Sequence, residues 1–403
     1  MTAHINFECL SFMVCGTYYL VFNCGSSSIK FALFEGGKTT ATLSGMADKI
    51  NQSGGTFSFK INAEQQQTHV KLSYQSAFLL IIATLKEHQF LECISCIGHR
   101  VVHGGHYFKQ PVMIDQDVLD KICALIPLAP LHNPANLQGI EFCNQHFGNI
   151  QQVAAFDTAF HQSIPEHIYR YAIPQNLYEE LKLRKYGFHG ISHQYIAQTA
   201  AHYLRLAQGN FICAHLGNGC SITAIKEGKS IDTSMGFTPL DGLVMGTRSG
   251  AIDPGVFSYL KQTVDMDIDQ INQLLNKQSG LFGLCGLSDM RDIEHAISQN
   301  NAKAILALEI FSHRIAQYIA SYMMYFAHFD GLIFTAGIGE HSAMVREKVI
   351  DKLEALGFMI DDARNSNAKQ YIEIHKPGSK RIMVLPTDEE LMIAQSCHEL
   401  LNK

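Results

Sequence analysis

Three residues of this sequence, Arg100, His189 and Arg248, combine cationic or hydrogen-bonding side chains with glycine close by in the chain. A guanidinium binds carboxylate or phosphate oxygens through two parallel hydrogen bonds, and glycine lets the backbone approach a ligand closely. His189 can donate a hydrogen bond to a charged intermediate. These residues predict carboxylate or phosphoryl chemistry, although capping of a loop is an alternative role for Arg100.

Two more residues could take part in such a site. Asp157 directly follows an apolar run, where a carboxylate can orient a nucleophile, hold a metal, pair with arginine or simply cap a helix. His132 stands between two prolines that stiffen its loop. His189 and His193 have the spacing of a zinc-binding helix, but Gly190 disfavours a helical turn between them. We therefore interpret His189 as a hydrogen-bond donor and not as a zinc ligand.

The segments 21–35 and 212–227 have the same pattern, in which two apolar strands flank a turn of glycine, serine and asparagine. The N–H groups of such a turn can cradle phosphate oxygens. Either segment alone could be an ordinary hairpin. Their repetition predicts a duplicated fold that holds a polyphosphate between its two halves.

Two further glycine-rich segments extend this hypothesis. Residues 234–255 contain too much glycine, proline and threonine for a regular element, so we expect a long ordered loop that presents Arg248. Residues 331–341 lead from an apolar strand through a glycine turn to a helix that we expect to begin near Ser342. This second segment is a candidate adenosine site.

Strands and helices alternate along the chain and must position these residues. Strand-like runs occupy 18–23, 30–34, 94–102, 153–156, 211–215, 221–226, 331–334 and 381–385. Helical periodicity covers 74–88, 195–206, 302–327, 342–356 and 389–401. This order predicts an α/β fold with partly parallel sheets covered on both faces, together with a domain boundary between 162 and 174.

Composition fits a two-domain enzyme. The chain has 403 residues, of which 47% are hydrophobic, and this is enough to build large cores. A net charge of −6 argues against nucleic acid or an acidic membrane as partner. Eleven cysteines show no disulfide framework, so we expect a reducing cytoplasmic setting. We interpret residues 1–16 as a short appendage and find no apolar run long enough to span a membrane.

From Tyr18 onward, nine ordered motifs make the chain resemble the acetate kinase family, within the acetate and sugar kinase, Hsc70 and actin superfamily. The motifs are Asn23-Cys-Gly-Ser-Ser-Ser-Ile-Lys30, Gly98-His-Arg-Val-Val-His-Gly-Gly105, Leu131-His-Asn-Pro134, Phe156-Asp-Thr-Ala-Phe-His161, Tyr186-Gly-Phe-His-Gly190, His215-Leu-Gly-Asn-Gly219, Met245-Gly-Thr-Arg-Ser-Gly250, Thr335-Ala-Gly-Ile-Gly-Glu340 and Pro386-Thr-Asp-Glu-Glu390.

The resemblance implies a duplicated actin-like ATPase fold of the ribonuclease H type, with the active site in a cleft between two domains. It assigns residues 1–161 and 388–403 to an N-terminal domain that the C-terminal helix completes. Residues 162–387 then form a central domain that binds nucleotide and builds a homodimer.

The implied reaction is reversible, direct in-line transfer of the ATP γ-phosphoryl group to acetate, giving acetyl phosphate and ADP. Mg²⁺ is the implied metal, with Mn²⁺ as the alternative. The implied catalytic residues are Asp157, His189, Arg248 and His132. The implied acetate site contains Arg100, Val102, Leu131, Phe188 and Pro239. The implied metal environment contains Asn23 and Glu389. The implied ATP site contains Ser26, Ser28, Lys30, His215, Leu216, Gly217, Asn218, Gly219, Asp289, Met290, Arg291, Gly337, Ile338, Gly339, Glu340 and His341.

Two alternatives stay open. A propionate or butyrate kinase of the same family would differ mainly in the volume of the pocket around the acyl chain. An Hsc70-like or actin-like ATPase would bind a protein and would need a separate binding or polymer-forming region, whereas this chain ends soon after Glu389.

Overall fold

The computed structural model describes residues 16–62, 64–369 and 373–402, so nearly all of the predicted N-terminal appendage lies outside the described residues. The first half of the chain builds an eight-stranded sheet in the order β5-β4-β3-β2-β1-β6-β8-β7. Its strands are β1 Tyr18–Cys24, β2 Ser28–Glu35, β3 Leu43–Asp48, β4 Thr56–Ile61, β5 Glu64–His69, β6 Ile94–Val101, β7 Val112–Met113 and β8 Gln151–Phe156.

A second sheet follows in the order β11-β10-β9-β12-β13. Its strands are β9 Phe211–Leu216, β10 Cys220–Lys226, β11 Lys229–Thr233, β12 Gly331–Thr335 and β13 Ile382–Val384. In both sheets a hairpin and a third antiparallel strand precede two parallel strands, so β3-β2-β1-β6-β8 and β11-β10-β9-β12-β13 match strand for strand. The predicted duplication is therefore confirmed.

Helices cover the faces of the two sheets. Their bounds are α1 Tyr74–Glu87, α2 Gln116–Ala124, α3 Asn133–His146, α4 Glu166–Tyr169, α5 Gln175–Leu181, α6 Gly190–Tyr203, α7 Gly255–Val264, α8 Ile268–Lys277, α9 Gly280–Cys285, α10 Met290–Ser298, α11 Ala302–Tyr322, α12 Ala336–His341, α13 Ala343–Asp351, α14 Asp362–Ser366 and α15 Glu389–Leu401. None of the helices within the described ranges is both long and apolar enough to cross a membrane.

The C-terminal helix α15 returns to the first sheet. Its apolar residues Leu391, Ile393 and Cys397 pack with Val21 of β1 and Val153 of β8 in one buried cluster. This packing places Glu389, the first residue of α15, near the edge of the first sheet. The domain bounds 161/162 and 387/388 stay a prediction.

Most predicted elements are present, and two predictions need correction. All eight strand-like runs are strands, and residues 234–254 contain no helix or strand, as predicted for the long loop. The glycine turn predicted at 337–339 is instead part of the short helix α12, which follows β12 without an intervening loop. Helix α6 begins at Gly190, several residues before the predicted start, because His189 adopts a left-handed conformation that ends the preceding loop.

Candidate active site

The carboxyl ends of β1, β6 and β8 gather the first group of polar side chains. These strands are parallel neighbours, so Asn23, Arg100 and Asp157 meet at one edge of the sheet. Arg100 Nε and Nη2 donate to the two Asp157 carboxylate oxygens at 3.0 and 2.5 Å, and Nη1 donates to Asn23 Oδ1 at 3.1 Å. A Glu389 carboxylate oxygen lies 3.4 Å from Arg100 Nε. The Arg100 guanidinium therefore has side-chain oxygens of the protein itself as its hydrogen-bond and ion-pair partners.

Burial and charge act in opposite directions on this pair. Asp157 is only 1% exposed, and burial raises its pKa to about 6 although Arg100 acts to lower it. Burial works to lower the Arg100 pKa, but the charges of Asp157 and Glu389 raise it well above its usual range. Asp157 is therefore an ionised partner of Arg100 at neutral pH.

His189 and His215 form a stacked pair beside this group. His189 caps α6 with φ 56°, and its Nδ1 lies 2.9 Å from Ser221 Oγ. The two rings stack with centroids 4.3 Å apart, and His215 Nδ1 lies 2.8 Å from Ser192 Oγ. Burial lowers the pKa of His189 well below its usual range and that of His215 to about 4. Both imidazoles are neutral at physiological pH.

Arg248, presented by the 234–254 loop, lacks the carboxylate partners that Arg100 has. Within the described part of the chain its contacts are weak: Nη1 lies 3.4 Å from the Pro239 carbonyl oxygen and 3.8 Å from Met245 Sδ. Burial lowers its pKa from the usual value. A Cβ placed on Gly219 would lie 3.4 Å from His189 Nε2 and 3.6 Å from Arg248 Nη1. Arg248 and His189 therefore face the same small space.

His132 belongs to the same group. It precedes α3, and burial lowers its pKa to about 4, with further lowering by the charges of Arg248 and Arg100. The charges of both arginines, one from each half of the chain, therefore act on this imidazole.

The side chains predicted to surround the methyl group of acetate differ in their burial. Val102 and Phe188 are 7% and 1% exposed and belong to one apolar cluster. Leu131 is 55% exposed, so it does not share in that cluster. Pro239 is half-buried and contributes its carbonyl to Arg248.

A cavity of about 380 Å³ brings together three segments of the predicted nucleotide site. Its lining includes Gly217, Asn218, Asp289, Met290, Arg291, Gly337, Ile338 and His341, together with Ser288, Glu294 and Ser342. Leu216 is fully buried and does not line this cavity. Glu340 does not line it either, and its Oε1 accepts a hydrogen bond of 3.4 Å from the Thr387 backbone N–H.

The first hairpin turn lies elsewhere. Ser26 is exposed and Ser28 is half-buried, while Lys30 lines a separate cavity of about 440 Å³ with Asp388 and Glu390. The cavity formed by the second half of the chain thus contains none of these three residues.

The positioning roles of two asparagines and one serine were not predicted from the sequence. Asn136 accepts from the Val102 amide at 3.0 Å and donates to the Cys24 carbonyl at 2.8 Å, while Asn133 accepts from the His103 amide at 3.1 Å. Both asparagines lie on α3, whose first turn contains Pro134, a position where proline is tolerated in a helix. Buried Ser221 sits in an apolar strand that carries no sequence signal for a polar role.

Comparisons with known proteins agree with this geometry. An acetate kinase from Francisella tularensis subsp. holarctica is 50% identical, over 95% of this chain and 99% of its own length. The crystal structure of a propionate kinase from Francisella tularensis subsp. tularensis superposes with a TM-score of 0.92 at 50% identity, over 94% of this chain and 98% of its own. An acetate kinase structure from Porphyromonas gingivalis gives 0.89 at 40% identity, over 96% and 100%.

One family model covers both sheets and both arginines. The model of the acetokinase family matches residues 18–395, which include every candidate site residue. The match runs through both halves of the fold. This chain belongs to the acetokinase family.

Proposed function

We propose that this protein is an acetate kinase, which transfers the γ-phosphoryl group of ATP to acetate and runs the reaction in both directions. The observation that carries the proposal is the contrast between its two arginines. Arg100 is bound by carboxylates, whereas Arg248 has no acidic partner among the described residues and faces the same space as His189. A buried cation without an anion is suited to a ligand that brings the negative charge.

The roles of the site residues follow from phosphoryl transfer, in which the protein positions the reactants and stabilises charge on the equatorial oxygens. Arg248 supplies cationic charge to that group, and neutral His189 donates a hydrogen bond. Acetate is already an anion, so its oxygen needs no general base. Asp157 therefore acts by holding Arg100, and not by removing a proton.

The oxygens around Arg100 also fit Mg²⁺. Asn23, Asp157 and Glu389 offer amide and carboxylate oxygens within one small region, which is the donor chemistry that Mg²⁺ prefers beside phosphates. Asn23 and Glu389 would hold the ion. When bound, Mg²⁺ neutralises phosphate charge during transfer. Mn²⁺ could occupy the same oxygens.

The cavity of about 380 Å³ is the proposed adenosine site, because its glycines and short side chains leave room for a ring system. We also propose that the domains close over the substrates and that the protein forms a cytoplasmic homodimer. Support for a dimer comes from apolar side chains on α7 and α8, where Tyr259, Val264 and Ile268 are 65%, 58% and 59% exposed. Light scattering coupled to size exclusion tests the assembly.

A propionate kinase is the second candidate, because a structure with that name has a TM-score of 0.92. Val102 and Phe188 are buried while Leu131 is exposed, so a longer acyl chain could extend toward Leu131. A coupled assay of ADP release with formate, acetate, propionate and butyrate tests the choice. We expect the highest kcat/KM with acetate. A higher value with propionate would favour the second candidate, and fast ADP release without any carboxylate would contradict both.

A further inference from the structure

Ser221 is a fully buried serine on β10 whose hydroxyl lies between two imidazoles. Its Oγ is 2.9 Å from His189 Nδ1 and 2.7 Å from His193 Nε2. His193 is itself fully buried on α6, and its other nitrogen, Nδ1, has no hydrogen-bond partner among the described residues. These three groups form a short relay that ends at the candidate active site.

Proton counting restricts how the relay can be arranged. A serine hydroxyl donates one hydrogen and accepts others, and each neutral imidazole carries one N–H. If Ser221 donated to His193, then His193 would carry its proton on Nδ1, which would bury an N–H without an acceptor. If both imidazoles donated to Ser221, its hydroxyl hydrogen would have no acceptor among the described residues. Each arrangement would leave a buried donor unsatisfied, which costs about 1–3 kcal/mol.

One arrangement gives an acceptor to both hydrogens shared among the three side chains, and it leaves the His189 Nε2–H, which is not fully enclosed, for a ligand. His193 donates from Nε2 to Ser221 Oγ, and the Ser221 hydroxyl donates to His189 Nδ1. The His193 Nδ1 atom is then a bare acceptor. We propose that Ser221 and His193 are positioning residues that fix His189 as the tautomer protonated on Nε2.

This tautomer matters because of where Nε2 points. The Nε2 edge of His189 faces Gly219, next to Arg248 Nη1. A protonated Nε2 presents a donor to an anion in this space, whereas the other tautomer presents a lone pair and repels it. The inference rests on the proposed place of His189 beside the transferring phosphoryl group, and it adds the source of its hydrogen-bond polarity.

The tautomer can be measured without any activity. We expect nitrogen NMR of the ligand-free protein, labelled with ¹⁵N in its histidine rings, to show His189 with a protonated Nε2 and a bare Nδ1. The His189→Gln variant assigns the resonance by its disappearance. A His189 protonated on Nδ1 overturns the inference, even in a protein that proves to be an active acetate kinase.

Kinetics tests the consequence. Ser221→Ala removes the relay, and we expect kcat to fall by about 10- to 100-fold, the range for loss of one oriented donor, with little change in the KM for ATP. Ser221→Thr keeps the hydroxyl and should restore most of kcat. In both variants, retained secondary structure is checked by circular dichroism. Wild-type kcat in a folded Ser221→Ala would overturn the positioning role.

Ser230 provides a matched control. It is also a fully buried serine, and its Oγ lies 2.8 Å from His161 Nδ1. His161 Nε2 already donates to the Phe188 carbonyl at 2.9 Å, so its tautomer does not depend on Ser230. Ser230→Ala should change kcat by less than about 3-fold and leave the His189 signal in place. An equal loss of kcat in Ser230→Ala and Ser221→Ala would show a general packing effect and overturn the inference.

Discussion

Replacing Arg248 by methionine should separate catalysis from stability in this protein. The guanidinium donates only a 3.4 Å contact to the Pro239 carbonyl and a 3.8 Å contact to Met245 Sδ. Both are long, so the folded state loses little bonding when they are removed. Burial lowers the pKa of Arg248, which means that the surroundings disfavour its charge. We therefore expect a Tm equal to or above that of the wild type.

The expected loss of activity is much larger. A preorganised donor aimed at developing charge contributes about 10²- to 10³-fold to kcat, or about 3–4 kcal/mol of transition-state stabilisation. Arg248 is the cation in the described structure that faces this space without a carboxylate partner, so no neighbouring side chain replaces it. Lysine at this position should rescue poorly, because a point charge cannot reproduce the planar fork of the guanidinium.

The assay is steady-state ADP release from ATP and acetate, with Tm measured on the same preparations. Arg364→Met is the control, since that arginine is 57% exposed and lies 4.0 Å from its partner Asp361. We expect it to leave kcat and KM near the wild-type values. Near-wild-type turnover in a folded Arg248→Met, or a loss of turnover that follows only from a lower Tm, would refute the assignment.

Three further predictions concern the other half of the site. Arg100→Ala should raise the acetate KM as well as lower kcat, because the family resemblance assigns Arg100 to the acetate site; a change confined to the ATP KM would contradict this. The pKa of Asp157 is about 6, which is above the value of an aspartate in the unfolded chain. The carboxylate therefore gains a proton as the pH falls through 6, and its ion pair with Arg100 weakens. The ratio of wild-type to Asp157→Asn kcat/KM should fall between pH 7 and 5, and a constant ratio would exclude Asp157 as the titrating group. Glu389→Gln should raise the Mg²⁺ concentration needed for half-maximal rate, and an unchanged magnesium titration would remove Glu389 from the metal site.

The fold was largely predictable because its central strands are apolar on both faces. Five consecutive residues of β12 are buried, and β9 is buried throughout. Such strands leave a clear signal in the sequence. The edge strand β5 is exposed at every position and reads Glu-Gln-Gln-Gln-Thr-His, so its pairing with β4 carries no apolar pattern that could have predicted it.

The candidate site was predictable in its residues but not in its pairings. A glycine two residues away marks both Arg100 and Arg248 in the sequence, yet nothing there distinguishes the arginine paired with Asp157 from the one without a carboxylate. That difference depends on which strand ends are neighbours, a consequence of the order β1-β6-β8. The relay through Ser221 is equally hidden, because His189 and Ser221 come from different segments and meet only in the folded chain.

The charge of the site at physiological pH follows from these pairings. Burial keeps the pKa values of His132 and His215 at about 4 and that of His189 lower than usual, so these imidazoles add no positive charge beside the arginines. If they were protonated, each would repel its neighbours and the stacked pair of His189 and His215 would separate. Arg100 is balanced by Asp157, so Arg248 provides the uncompensated positive charge in this group. Among the described residues of this group, an arriving phosphoryl group would therefore meet Arg248 as the cation without a carboxylate and His189 as a neutral donor. Its attraction would then depend on Arg248, and its orientation on the proposed His189 tautomer.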